Sequence, residues 1–269
     1  MVASRANGLE LTFHLVEAGK AFKSMDTSRI SPIEAARGVW RERYAGARVV
    51  FLGGSVMRGE ATPASDLDVV VVFERLPNAY REAFTHEGWP VEAFVHDGET
   101  LERFFEVDRQ RGLPALMSMV GEGVEVPEAS EFSARWKRRA VELLEAGPPP
   151  WDEEELTLRR YRLTDWVDDM RFPRSPDELL ATGAYLYQDA AEFYFRTRGL
   201  WSAHSKTIPR RLRQADADFA EKFLRAFDAL FTEKRPDPAA ALVEELLRPF
   251  GGFLFEGFRK EAPKRSDES

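Results

Sequence analysis

The stretch LDVVVVF, residues 67–73, constrains the chain more than any other. Its four consecutive valines favour an extended backbone, and an unbroken apolar run of this kind reads as a strand buried on both faces. The sheet that holds it must then be covered by other elements on each side, which implies a layered α/β arrangement. Yet the mouth of the strand is acidic. Asp66 and Asp68 stand two residues apart, a spacing that in a strand directs both carboxylates to one face.

Further elements follow from the same patterning. ARVVFL (47–52) reads as a short buried strand stopped by Gly53-Gly54, and VEAFVHD (91–97) as a third strand. The third strand places Val91, Ala93 and Val95 on one face and Glu92, Phe94 and His96 on the other. Ser31-Pro32 marks a helix start, carrying IEAARGVWRERY to Gly46. NAYREAFTHEG (78–88) and GETLERFFEVDRQRG (98–112) read as helical. Residues 1–30 read as a helix or an irregular extension.

From about residue 128 the chain becomes helical throughout. SEFSARWKRRAVELLEAG precedes a stiff Pro148-Pro149-Pro150 connector, and four helical segments follow. These are WDEEELTLRRYRLTDWVDDMRF, SPDELLATGAYLYQDAAEFYFRTRG, PRRLRQADADFAEKFLRAFDALF and PDPAAALVEELLRPF, with a polar, frayed tail APKRSDES. The expected architecture is a small mixed-sheet α/β domain over 1–127 and a C-terminal helical bundle over 128–269.

Composition bounds the function. Hydrophobic residues make up 43% of the 269, enough for a substantial core. The net charge of −8 argues against a broad nucleic-acid footprint. With no cysteine there are neither disulfides nor thiolate metal sites. No apolar run approaches the roughly 20 residues of a membrane span, and the N-terminus lacks a signal-like apolar core; a soluble, cytoplasmic protein is expected. His14, His86, His96 and His204 show no metal-ligand spacing, and neither a GxxxxGK[ST] nor a GxGxxG motif occurs.

An isolated Asp-x-Asp at a strand entrance is most simply a turn cap. Three neighbours point elsewhere. Gly53-Gly54-Ser55 follows a strand directly, where glycines admit close approach of a phosphate to backbone amides and a hydroxyl. Arg58 offers a guanidinium fork for phosphate oxygens, and Glu92 supplies a third carboxylate from the next predicted strand. Three acids beside an anion-binding loop call for a hard multivalent cation, held by carboxylate oxygens, with phosphates upon it.

Gly-Ser, ten residues, then Asp-hydrophobic-Asp, with a later acid on a strand, resembles the pattern of the DNA polymerase beta-like nucleotidyltransferases. GGSVMR and ASDLD are most similar to the small-molecule enzymes that modify aminoglycoside and lincosamide antibiotics, and GWPVEAFVHDGETLERFFE resembles the third-carboxylate strand and helix of kanamycin nucleotidyltransferase. The resemblance covers roughly residues 47–110. It implies a transferase that moves a nucleoside monophosphate, AMP from ATP, to a hydroxyl of a small molecule and releases pyrophosphate. Asp66, Asp68 and Glu92 would hold Mg²⁺, while Gly54, Ser55 and Arg58 would hold the triphosphate. Ser65 would shape the turn before the carboxylates.

The general base stays open between Glu92 and an acid of LTDWVDDM. There Asp165, Asp168 and Asp169 compete with a solvated ion-paired face, and Asp168 aligns best with the kanamycin enzyme's base. HSKTIPRRL (204–212) resembles a phosphate-contacting lysine segment, which implies that Lys206 closes over the nucleotide from the helical part, whereas Arg210, Arg211 and Arg213 read as solvated. Trp201 reads as buried. The alternatives are an antitoxin-type protein adenylyltransferase and a nucleotide-binding module without activity. Monomer and homodimer are both compatible with the resemblance.

Overall fold

The computed structural model describes residues 29–261; the expectations for the N-terminal extension and for the tail APKRSDES fall outside them, apart from Arg29 and Ile30. The chain divides into two compact units. One comprises the described residues up to Phe104 together with Leu116–Val141, and the other comprises Phe105–Ala115 and the described residues from Glu142.

The first unit is built on a mixed five-stranded sheet. Helix α1 (Pro32–Arg43) begins at a complete capping box, in which Ser31 Oγ accepts the Glu34 amide and Glu34 accepts the Ser31 amide. Strand β1 (Val49–Gly53), helix α2 (Gly54–Met57), and strands β2 (Leu67–Phe73), β3 (Tyr80–His86) and β4 (Trp89–Asp97) follow. Helices α3 (Gly98–Arg111) and α4 (Ala115–Glu122), strand β5 (Val124–Val126) and helix α5 (Glu131–Ala146) complete the series, the residues of α3 from Phe105 and of α5 from Glu142 belonging to the second unit. The strand order is β3-β4-β2-β1-β5, with β2 and β4 parallel and the other pairs antiparallel.

As the valine run requires, Val69, Val70, Val71 and Val72 are all fully buried. Val69 and Val71 share a core with Val50, Leu52, Val91, Ala93 and Val95, and Ala35, Ala36 and Val39 of α1 close it. Asp68, Val70 and Val72 point to the opposite face. Over that face α4 passes so closely that a Cβ on Gly53 would meet the Met119 backbone at 3.0 Å.

Residues 80–86 correct the sequence reading. NAYREAFTHEG is not a helix; its centre is the edge strand β3, hairpin-paired to β4 with His86 opposite Trp89. The two-residue turn Glu87-Gly88 has positive φ at both positions, 48° and 76°, the primed geometry that matches the twist of paired strands. Pairing with β4 overrides the helix-forming Arg, Glu and Ala of this segment.

The second unit is helical. Helices α6 (Glu153–Arg171), α7 (Pro176–Arg196), α8 (Ile208–Ala215), α9 (Ala217–Glu233) and α10 (Asp237–Leu247) enclose a core that includes Leu163, Val167, Leu186, Phe193, Phe223 and Leu247. PRRLRQADADFAEKFLRAFDALF, read as one helical segment, is two helices. Asp216 adopts an extended backbone and its carboxylate caps α9 by accepting the Phe219 amide at 2.9 Å. Among the described residues no helix is long and apolar enough to cross a membrane.

Candidate active site

The strand register builds the site. Asp68 on β2 is the direct partner of Glu92 on the parallel strand β4, so their side chains leave the same face side by side. Asp66, two residues before Asp68, leaves on that face as well. The three residues each present a carboxylate oxygen within 4.8 Å of the others, and all three are half-buried.

On its other side Asp68 faces Gly53, the last residue of β1, and there the chain turns abruptly. Gly54 has φ of 75°, and a Cβ on it would sit 2.0 Å from Asp68 Oδ2. Only glycine fits both the backbone and the space. Ser55 follows in the first turn of α2, and its hydroxyl reaches Ser65 Oγ at 3.4 Å. Ser65 Oγ in turn accepts the Thr62 amide at 2.8 Å, so Ser65 ties down the turn that delivers Asp66. Arg58 leaves the end of α2 with Glu60 at 3.3 Å and Glu122 of α4 at 3.7 Å.

The electrostatics follow from this crowding. Burial, then the negative charges of Asp66 and Glu92, pushes the Asp68 carboxyl up to about 6, against the pull of Arg58 and Arg81. Arg81 of β3 donates to Glu92 Oε1. The oxygen-only donor set suits a hard divalent cation, which would relieve the mutual repulsion of the three acids. The absence of a side chain at Gly54 leaves the Asp68 carboxylate its space.

Gly54, Ser55, Arg58, Asp66, Asp68 and Glu92 thus converge in the α/β unit. Asp168 and Lys206 belong to the helical unit. Asp168 is exposed on α6, with Arg171 at 4.0 Å. Partial desolvation, then the charges of Asp169 and Asp168, pushes the neighbouring Asp165 up. Lys206 lies exposed in a 3₁₀ turn, Ser205–Thr207, held from α7 by Gln188, whose Oε1 accepts the Ser205 amide at 3.3 Å. Trp201 is buried and donates to Leu144 O at 2.9 Å. His96 is buried against Phe104, and burial pushes it down to about 4.

Sequence reasoning missed Arg81 and Glu122. Arg81 lies in the segment that reads as helical, because its Arg, Glu and Ala favour a helix.

Residues 33–115 match the model of the nucleotidyltransferase domain family, a span that contains every residue of the carboxylate cluster and the glycine loop. This segment is similar to a nucleotidyltransferase domain. A crystal structure of a nucleotidyltransferase-like protein from Exiguobacterium sibiricum 255-15 is similar at 16% identity and a TM-score of 0.45, covering 81% of this chain and 75% of that one. No curated protein matches the chain. The match ends at Ala115, where α4 begins.

Proposed function

We propose that the protein transfers the AMP moiety of ATP to a hydroxyl of a small, polyhydroxylated, aminoglycoside-like molecule in the cytoplasm, with release of pyrophosphate. The observation that carries this reading is the convergence of Asp66, Asp68 and Glu92 within 4.8 Å beside the Gly53-Gly54-Ser55 turn, inside a nucleotidyltransferase domain. Asp66, Asp68 and Glu92 would hold Mg²⁺. Bound there, the ion would stabilise negative charge on the attacking hydroxyl oxygen and on the departing pyrophosphate.

The chain's own residues then divide the remaining work. The Gly54 and Ser55 amides and the Ser55 hydroxyl bind the β- and γ-phosphates, and Arg58 exchanges its two carboxylate partners for phosphate oxygens. Lys206 adds a cation from the helical unit. As the acceptor oxygen bonds to the α-phosphorus, the bond from that phosphorus to pyrophosphate breaks, and the hydroxyl proton passes to a carboxylate oxygen of Asp168 acting as general base. Glu92, already committed to the metal, is the poorer base.

The test is a screen of hydroxylated antibiotics incubated with protein and Mg-ATP. Pyrophosphate release together with an acceptor heavier by one nucleotidyl group supports the reading. Release that persists in Asp68→Ala, or label that appears on a protein while every small molecule stays unmodified, overturns it.

A further inference from the structure

We propose that Arg81 competes with the cation for Glu92, so that the site resists a bare metal ion. The inference rests on the metal-binding reading of the carboxylate cluster and adds a residue that the nucleotidyltransferase pattern did not single out.

The geometry is specific. Arg81 sits on the edge strand β3 directly opposite Phe94, and Ala83, two residues on, sits opposite Glu92. Arg81, Ala83, Glu92 and Phe94 therefore share one face of the hairpin. The small Ala83 side chain leaves the diagonal open. The guanidinium lies over the Phe94 ring at 4.8 Å and reaches across to donate to Glu92 Oε1. Its side chain retains 60% of its exposure, against 25% for Glu92, so the arginine is the partner able to move.

Arg58 provides the contrast. It too is paired with acids, but Glu60 and Glu122 lie outside the carboxylate cluster, so freeing Arg58 leaves the ligand set untouched. Arg81 instead occupies a cluster oxygen and places a positive charge beside it. A divalent cation seated on Glu92 must displace this hydrogen bond and tolerate the guanidinium at close range, both of which weaken its hold. Once released, Arg81 still has the Phe94 face beneath it and solvent around it.

Manganese provides the probe. Titration of the intact protein with Mn²⁺, reading the free ion by electron paramagnetic resonance, needs no turnover. Arg81→Gln is expected to tighten Mn²⁺ on the order of tenfold, and Arg81→Lys, which keeps the charge, to stay within about threefold of the parent. In a Glu92→Gln background most of the gain from Arg81→Gln should vanish, because the contested oxygen is gone. Equal or weaker Mn²⁺ binding by Arg81→Gln, with binding abolished in Asp68→Ala, overturns the competition and leaves the metal site standing. Unchanged Mn²⁺ binding in Asp68→Ala removes the metal site itself, and the inference with it.

Discussion

Asp68 and Glu92 are direct register partners on adjacent parallel strands, so two carboxylates of the cluster are fixed by backbone pairing rather than by loop geometry. Such a placement opposes folding while both are ionised. Asp68 is pushed up to about 6, above the roughly 3.9 of an unfolded chain, so the folded protein holds its proton more tightly. The contribution of Asp68 to stability is therefore greatest below about pH 4 and is lost as pH rises through 6. Asp68→Asn should stabilise the protein by about 1–2 kcal/mol at pH 8 and by far less at pH 4, discounting the shift for partial solvent access. Urea unfolding at the two pH values measures the difference, and an equal effect at both refutes the electrostatic origin.

Gly54 supports a sharper expectation. Alanine there must accept φ of 75° and a Cβ 2.0 Å from Asp68 Oδ2, so either the turn or the carboxylate moves. Gly54→Ala should lower kcat on the order of 100-fold, consistent with a displacement of about an ångström at the reacting centre. Its unfolding free energy should fall by about 1–3 kcal/mol. Loss of activity without any change in the unfolding midpoint would mean that the strain is relieved elsewhere.

Arg58 sits at the rim with its side chain 41% exposed, paired to Glu60 and Glu122 at 3.3 and 3.7 Å. These exposed pairs contribute little to stability, so Arg58→Gln should leave the melting temperature nearly unchanged. If Arg58 holds phosphate as proposed, removing its guanidinium should instead raise KM for the nucleotide about tenfold, with KM for the acceptor unaltered. Glu122→Gln, which frees Arg58 from one partner, should move KM for the nucleotide in the opposite direction. An increase in both variants argues that α4, rather than the charge of Arg58, governs binding.

The carboxylate rim was legible because its signals are local. Four valines specify a doubly buried strand, glycines mark the turn that follows β1, and period-two alternation puts Glu92 on the face away from Val91 and Ala93. What sequence could not show was set by tertiary contacts. Tyr80–His86 contains good helix formers, and it is a strand because β4 offers it a ladder and Glu87-Gly88 closes the hairpin. The position of α4 depends on backbone contact between Gly53 and Met119, far apart in sequence, and no local pattern announces it. The break between α8 and α9 was hidden in a run that reads as one helical segment; the extended backbone of Asp216 and its cap bond to Phe219 show that one helix has ended.

The acids on α6 differ in their surroundings, and the proposed assignment of the base to Asp168 can be tested against them. All three acids are exposed, but partial desolvation and two acidic neighbours push Asp165 up, whereas Asp168 has Arg171 at 4.0 Å. A general base must be ionised to accept the hydroxyl proton, so the rate should fall with falling pH as the base protonates. Asp168→Asn should lower kcat by about 100-fold and abolish that acid limb, with KM for nucleotide unchanged. Asp165→Asn and Asp169→Asn should stay within about threefold of the parent. Should Asp165→Asn lose the rate and the acid limb while Asp168→Asn keeps both, the base is Asp165, and the acid limb of the parent should then lie above the range of a solvated aspartate.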